Sequence, residues 1–263
     1  MPRVRDLEDK VLFIAGVGPQ MGSATAMIAA REGAKLVLAA RSLDTAESVA
    51  QQIRADGGEA IAVSCDLTVR EDVEAAVAAS IDAFGRIDRV FYNAGFYDNA
   101  HDSIEIDDDL WQTTMDVNLN GALYLSKLTI PGMVERGDGA FVINSSAASL
   151  VAGQVRFGYQ VAKAGVNALT RFIAAKYGRH GIRANATLPF VVGGEVGQVA
   201  ASINCIGRSG YADEIGEAVV FLLSDRASII TGQVIHLDGG VFARASWPTN
   251  AAPYQAPPGR AQD

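Results

Sequence analysis

The residues Ala15-Gly16-Val17-Gly18-Pro19-Gln20-Met21-Gly22 join a short apolar run, Val11–Ala15, to a stretch with small and apolar side chains at helical spacing, Ser23–Glu32. Glycines at such a junction permit a tight turn and a close approach to the backbone, while the helix start offers unpaired N–H groups. The stretch therefore predicts a strand, a phosphate-binding turn and a helix. A glycine-rich turn alone is weak evidence, because other strand–helix junctions also need glycine.

Short apolar runs alternate with helical periodicity along the rest of the chain. Because each run is continuous rather than alternating, both faces of the strand that it forms are predicted to be covered. The predicted strands are Val11–Ala15, Lys35–Ala40, Ala60–Cys65, Asp88–Tyr92, Ala140–Asn144, Arg183–Leu188 and Gln233–Leu237. The predicted helices are Ser23–Glu32, Asp44–Ala55, Asp72–Phe84, about 107–135 and Phe157–Tyr177. Strands separated by helices predict right-handed crossovers and a parallel sheet.

The composition is that of a globular protein. The chain has 263 residues, of which 49% are hydrophobic and 20% charged, and its interior contains no linker-like stretch. We therefore predict one domain over residues 1–243. Residues 244–263 contain Pro248, Pro253, Pro257 and Pro258, half of the eight prolines, and are predicted to form a separate proline-rich tail.

Charge and hydropathy exclude several classes of function. A net charge of −8 disfavours sequence-independent nucleic-acid binding. No apolar run approaches the roughly 18 residues that span a bilayer, and the first ten residues do not form a signal peptide. We expect a soluble, cytoplasmic protein with no nucleic-acid or membrane partner. The two cysteines, Cys65 and Cys205, lie in no cluster with zinc-ligand spacing, so no metal is expected.

The ends of the second, third and fourth predicted strands suggest a dinucleotide site. Ala40 stands where an acidic residue would bind the ribose 2′-OH of NAD, and it is followed by Arg41-Ser42. A guanidinium can instead bind a 2′-phosphate, which predicts NADP(H) as the preferred cofactor and NAD(H) as a possible one. Asp66-Leu67 follows the third strand, where the carboxylate could either bind the adenine amino group or cap a turn. Asn93-Ala94-Gly95 ends the fourth strand and would let the backbone approach the ribose.

Three further residues suggest proton transfer at an alcohol or ketone. Tyr159 and Lys163 lie four residues apart on a predicted helix and so on one face, and Ser146 follows the fifth strand. Tyrosine has a pKa near 10 and is a poor base at neutral pH. A neighbouring ammonium and an oxidised nicotinamide both favour the phenolate, so we expect the pKa of Tyr159 to be lowered to about 7. Ser146 would hold and polarise the substrate oxygen.

In their order and spacing these residues resemble the short-chain dehydrogenase/reductase family over about residues 10–241. The resemblance rests on Gly16, Gly22, Asp66, Asn93-Ala94-Gly95, Asn118, Ser146, Tyr159, Lys163, Pro189, Gly207-Arg208-Ser209-Gly210 and Asp238-Gly239-Gly240. It implies a single-domain, doubly wound Rossmann-like α/β fold with a seven-stranded parallel sheet in the order 3-2-1-4-5-6-7 and helices on both faces. It also implies an oxidoreductase that interconverts a secondary alcohol and a ketone, with Tyr159 as general acid–base. Asn118 would organise a water path from Lys163 to solvent.

The resemblance also implies which residues bind the cofactor. They are Gly16, Gly18, Gln20, Met21, Gly22, Arg41, Ser42, Asp66, Leu67, Asn93, Ala94, Gly95, Tyr159, Lys163, Pro189 and Val192. Four positions depart from the family pattern: Gln20 and Phe190 replace the usual glycines, and Ala15 and Gly194 replace threonines. These departures concern the contacts with the pyrophosphate and the carboxamide.

The substrate and the assembly are less sharply predicted. The candidate pocket walls are mostly apolar and favour an apolar or cyclic substrate: Phe96, Tyr97, Leu150, Val151, Gln154 and Phe190. Three alternatives stay open, namely an NAD-dependent alcohol or diol dehydrogenase, a 3-oxoacyl carrier-protein reductase and a cofactor-binding regulatory protein without turnover. In the family, the two long helices form a contact between subunits, which implies a homotetramer.

Overall fold

Seven parallel strands form one sheet in the computed structural model, which describes residues 5–100, 104, 106–151, 156–190, 192–193 and 203–243. The strands are β1 (Val11–Ala15), β2 (Lys35–Ala40), β3 (Ala60–Ser64), β4 (Arg89–Tyr92), β5 (Gly139–Asn144), β6 (Ile182–Pro189) and β7 (Val234–Leu237). Their order is β3-β2-β1-β4-β5-β6-β7, and every neighbouring pair is parallel. The predicted sheet and its strand order are confirmed.

Helices cover both faces of this sheet. They are α1 (Met21–Arg31), α2 (Leu43–Ala55), α3 (Arg70–Phe84), α4 (Asp108–Met115), α5 (Gly121–Arg136), α6 (Phe157–Tyr177) and α7 (Ala212–Leu223). Alternate residues of β1 enter two different cores, because successive side chains of a strand point to opposite faces. Leu12 and Ile14 pack with residues of α1, α2 and α7, whereas Val11 and Phe13 pack with residues of α3, α5 and α6.

The helix predicted over residues 107–135 is interrupted by a π-helical turn, Asp116–Asn120. The Tyr92 hydroxyl donates to the Val117 carbonyl at 2.7 Å. A donor from outside the helix therefore binds a carbonyl that would accept a backbone N–H in a regular α-helix. A side chain at Gly121 would overlap this hydroxyl. The turn therefore depends on a contact between β4 and the helix, which local periodicity does not reveal.

Helix α7 is the one α-helix among the described residues that the sequence pattern did not predict. Its second half, Ala218–Leu223, is a continuous apolar run that hides the helical period. The helix packs against α1, where a Cβ at Gly216 would lie 3.2 Å from the Thr25 nitrogen. The remaining outer boundaries differ from the predicted ones by at most two residues.

Two predictions on the outline of the chain stay predictions. The proline-rich tail, residues 244–263, lies outside the described residues, so the domain limits are not tested.

Among the helices of the described ranges, none combines the length and the apolarity needed to cross a bilayer.

A substitution at Gly181 tests the packing of the turn that leads into β6. Gly181 has φ +79°, and a Cβ there would overlap the carbonyl oxygen of Gly137. Gly85 has a similar φ of +77° but open space around it, so it is a matched control. Gly85→Ala should lower the free energy of unfolding by about 1–2 kcal/mol through backbone strain. Gly181→Ala should lower it by a further ~1–3 kcal/mol because of the overlap. Urea unfolding measures both, and equal losses would show that the turn relaxes freely.

Candidate active site

A cleft of about 510 Å³ opens at the carboxyl ends of the strands. It lies over β1 and its neighbours β2 and β4. The strand order reverses between β1 and β4, and open α/β sheets bind ligands at such a place. Most of the predicted cofactor residues line it, namely Gly16, Gly18, Gln20, Met21, Gly22, Arg41, Asp66, Leu67, Asn93, Ala94 and Gly95. Thr113 in α4 and Val117 in the π-helical turn close its other side.

The turn between β1 and α1 fits a pyrophosphate. Gly16 has φ +88°, and a Cβ there would lie 2.6 Å from the Ala94 nitrogen, so only glycine fits. At Gly22 a Cβ would lie 2.8 Å from the Gly16 carbonyl oxygen. Among the described residues, no side chain caps the start of α1, and its first turn carries no acidic residue. Its N–H groups and the positive end of its dipole can therefore meet an anion.

Three polar side chains connect this turn to the centre of the sheet. Asn93 Nδ2 donates to the Gly16 carbonyl at 2.9 Å, Asn144 Nδ2 donates to Asn93 Oδ1 at 3.2 Å, and Thr187 Oγ1 donates to Asn144 Oδ1 at 3.2 Å. We call Asn93, Asn144 and Thr187 the amide ladder. Asn144 and Thr187 were not predicted as site residues. Their signal in the sequence is a polar residue at or near the carboxyl end of an otherwise apolar strand.

The end of β2 places a positive charge beside the cleft. Arg41 is exposed, and Ser42 precedes α2 without its hydroxyl capping that helix. Asp66 accepts hydrogen bonds from the backbone and hydroxyl of Thr68 at 2.9 and 2.7 Å, so its carboxylate caps the turn that the sequence allowed. The backbone bond from Thr68, with the charge of Arg41 as a smaller cause, holds the pKa of Asp66 below its usual range.

Residues after β6 approach the phosphate turn from the opposite side. Pro189 is the last residue of β6, and Val192 packs in the same apolar cluster as Met21. A Cβ at Gly193 would lie 3.8 Å from Gln20 Nε2, so the side chain of Gln20 reaches across to this segment. Gly194, Gln154 and residues 195–202 lie outside the described residues.

The hydroxyls of Ser146 and Tyr159 meet at the end of β5. Ser146 is the second residue after β5. Its hydroxyl accepts from the Ala148 nitrogen at 3.2 Å, and as a hydrogen-bond donor it favours the lower pKa of Tyr159. The neighbouring Ser145 points the other way and donates to the Lys163 carbonyl at 3.3 Å. The structure thus brings Ser146 and Tyr159 together, as the sequence predicts.

The Lys163 ammonium faces backbone carbonyls. Lys163 is only 2% exposed, and its Nζ donates to the carbonyls of Asn144 and Ala94 at 2.8 and 3.5 Å. Burial lowers its pKa to about 7. Its Nζ lies 5.5 Å from the centre of the Tyr159 ring.

The sequence predicts a lowered pKa for Tyr159. With the groups of the protein alone, this prediction is wrong. Burial, followed by the neighbouring Tyr97, raises this pKa above its ordinary value, and the hydrogen bond from Ser146 only partly opposes the rise. The free energy needed to remove a phenolate from water is larger than the stabilisation that its neighbours give to the charged form. The residue is therefore a protonated phenol at neutral pH, and any lowering must come from a positive charge that binds beside it.

Asn118 lies in the π-helical turn and holds the loop after β4. Its Nδ2 donates to the carbonyls of Phe96 and Thr114 at 2.8 and 2.9 Å, and its Oδ1 accepts from the Phe96 nitrogen at 3.2 Å. Both of its N–H groups are thus engaged by backbone. The predicted water path through Asn118 stays a prediction.

Comparisons with known proteins agree with this geometry. The family model described as "Enoyl-(Acyl carrier protein) reductase" matches residues 16–242. The chain is 34% identical over 242 residues to a cyclohexanol dehydrogenase of Acinetobacter sp., a match that covers 90% of this chain and 96% of the relative. It is 36% identical over 250 residues to a 2,5-dichloro-2,5-cyclohexadiene-1,4-diol dehydrogenase of Sphingobium indicum, covering 90% and 99%. The chain belongs to the short-chain dehydrogenase/reductase family.

Solved structures of short-chain dehydrogenases/reductases share the fold. A protein of Burkholderia xenovorans assigned to this family superposes with a TM-score of 0.84 at 28% identity, covering 92% of this chain and 99% of the other. The resemblance seen in the sequence is thereby confirmed, together with the class of oxidoreductase that it implies. Family membership implies a nicotinamide adenine dinucleotide cofactor, which the glycine cradle and the uncapped start of α1 fit.

Proposed function

We propose that this short-chain dehydrogenase/reductase interconverts a secondary alcohol and a ketone with NADP(H), and that its substrate is cyclic. The observation that carries the proposal is the meeting of the Ser146 and Tyr159 hydroxyls beside buried Lys163, at the same edge of the sheet as the phosphate cradle. The names of the two relatives, which act on a cyclohexanol and a cyclohexadienediol, support the substrate class.

The hydroxyls of Ser146 and Tyr159 have different roles at the substrate oxygen. Ser146 donates a hydrogen bond to that oxygen and holds it in place. Tyr159 gives it a proton when a ketone is reduced and takes the proton back when an alcohol is oxidised. When bound, a nicotinamide would supply the hydride for reduction and accept it for oxidation. Lys163, positioned by the Asn144 and Ala94 carbonyls, would hold the nicotinamide ribose and place its charge near the phenol.

The raised pKa of Tyr159 sets the direction of the pH dependence. Reduction uses the phenol, which is the form present across neutral pH, whereas oxidation needs the phenolate. The oxidation rate should therefore climb as the pH rises above 7, while the reduction rate should not. Tyr159→Phe keeps the ring and removes the acid, so it should lower kcat by about 10²–10⁴-fold and abolish the climb.

Steady-state rates between pH 6 and 10 measure both effects. Quenching of protein fluorescence by NADPH is the control, since the variant should still bind the cofactor. A variant with a near-normal rate would refute the role of Tyr159.

We further propose that Arg41 and Ser42 select NADP(H). Arg41 is exposed beside the cleft, and Ala40 leaves no carboxylate at the end of β2 to repel a phosphate. A guanidinium and a free hydroxyl at a helix start suit the 2′-phosphate.

Arg41→Ala should lower kcat/KM for NADP⁺ by about 10- to 100-fold, the loss expected for a charge-assisted hydrogen bond. Activity with NAD⁺ should change by less than about threefold, because no phosphate contact is lost. Arg179→Ala is the matched control. Arg179 is an exposed arginine in the turn before β6, at the amino ends of the strands and thus away from the cleft. Equal losses with both cofactors would contradict the assignment, as would a wild type that uses NAD⁺ as well as NADP⁺.

We also propose that the protein is a cytoplasmic homotetramer, with α5 and α6 at the contact between subunits. Leu123 on α5 and Val161 and Phe172 on α6 are 38%, 39% and 61% exposed. Val161 and Phe172 are eleven residues apart, close to three helical turns, and thus share a face. Apolar side chains on one helix face suit burial against a second copy.

Light scattering at micromolar concentration should give about four times the 27.6-kDa chain mass. Phe172→Glu should lower that mass, because it places a charge in the contact. A monomeric mass for the wild type would refute the proposed tetramer.

A further inference from the structure

Tyr97 brings a third hydroxyl to the pair formed by Ser146 and Tyr159. Its ring centre lies 4.7 Å from that of Tyr159 at a tilt of 51°, and Tyr97 is one of the causes of the raised pKa of Tyr159. Tyr159 is only 6% exposed, but Tyr97 is 54% exposed, so a large part of its ring remains accessible. The site therefore presents one accessible and two inner hydroxyls around the position of the substrate oxygen.

The backbone around Tyr97 is anchored on both sides. Phe96, just before it, is held at its nitrogen and its carbonyl by Asn118. Asp98, just after it, is fully buried, and its carboxylate accepts from the Tyr159 nitrogen at 2.7 Å and from the Ala100 nitrogen at 3.2 Å. Tyr97 is thus positioned relative to the first turn of α6 and to Tyr159 itself.

Arg156 adds a positive charge to the Tyr97 ring. Its guanidinium carbon lies 4.4 Å from the ring centre, a cation–π geometry. Arg156 has φ +66°, a left-handed conformation that side-chain-bearing residues rarely adopt, and its nitrogen donates to the Ala100 carbonyl at 2.7 Å. Such strain persists where surrounding contacts determine it, and it clusters at functional sites.

We propose that Tyr97 is a specificity-determining residue that binds a second oxygen of the substrate, on the carbon next to the reacting one. This inference rests on the proposed function. Because the two phenol rings are in contact, the Tyr97 hydroxyl stands close to the Tyr159 hydroxyl, which protonates the reacting oxygen. A substrate with one oxygen leaves that hydroxyl unpaired, whereas a second oxygen pairs with it.

The chemistry that fits is a cyclic vicinal diol or its hydroxyketone. The two oxygens of a vicinal diol can lie about a hydrogen-bond length apart. Such a pair suits two phenol groups whose rings are in contact, as those of Tyr97 and Tyr159 are. In oxidation one carbinol C–H bond breaks, its hydride passes to the oxidised nicotinamide, and the hydroxyl proton passes to the Tyr159 phenolate. The product is the α-hydroxyketone, and the second hydroxyl stays unchanged on Tyr97.

Cyclohexane-1,2-diol and cyclohexanol test the inference, because they differ by one hydroxyl. The ratio of kcat/KM for the diol to that for cyclohexanol should exceed one in the wild type and fall about tenfold in Tyr97→Phe, mainly through KM for the diol. Tyr211→Phe is the matched control, since Tyr211 is 52% exposed and carries Arg208 at 5.0 Å over its ring. Its ratio should equal that of the wild type.

Calorimetry of diol binding to the protein loaded with cofactor separates the two claims. If neither alcohol is turned over, the proposed function fails, but a tenfold weaker affinity of Tyr97→Phe for the diol still supports the inference. Equal losses for both alcohols would assign Tyr97 to positioning Tyr159 and overturn the inference. An unchanged ratio, or a wild type that prefers cyclohexanol, would overturn it as well.

Discussion

The amide ladder is the interaction on which the site depends. It starts at the Gly16 carbonyl in the phosphate turn, passes through Asn93 and Asn144, and ends at Thr187 on β6. The carbonyl of the same Asn144 accepts the Lys163 ammonium. Because buried amides must be paired, a shift of any one strand would leave donors unsatisfied in the core. The cofactor turn and the proton-transfer residues are therefore held in one register.

Burial gives the two titratable residues of this site opposite shifts. It lowers the pKa of Lys163 to about 7 and raises that of Tyr159, so near neutral pH the amine is partly charged while the phenol keeps its proton. Neutral forms are what a water-poor cleft favours when no further charge is present. A cationic ring bound beside Tyr159 would reverse the balance for the phenol. The protonation state of Tyr159 should thus depend on whether the nicotinamide bound beside it is oxidised and positively charged.

Features of the fold and the site that depend on residues close together in the sequence were predicted from local patterns. The β1–α1 turn, the strand runs and the Tyr159–Lys163 spacing are all read within a few residues, and the sheet order followed from the family resemblance. Asn144, Thr187 and Asp98 were missed because their partners lie 43 to 61 residues away. The direction of the Tyr159 shift was missed for a related reason, since burial belongs to the assembled core and not to the motif.

The π-helical turn shows how one distant contact can shape two parts of the site. The Tyr92 hydroxyl takes the Val117 carbonyl, and in the same turn Asn118 is fully buried with its amide directed at Phe96. Val117 forms a wall of the cofactor cleft, while Phe96 leads directly to Tyr97. A regular helix would change the direction of Asn118 and release the backbone before Tyr97. The irregular turn therefore links the cleft that binds the dinucleotide to the residue that we assign to substrate choice.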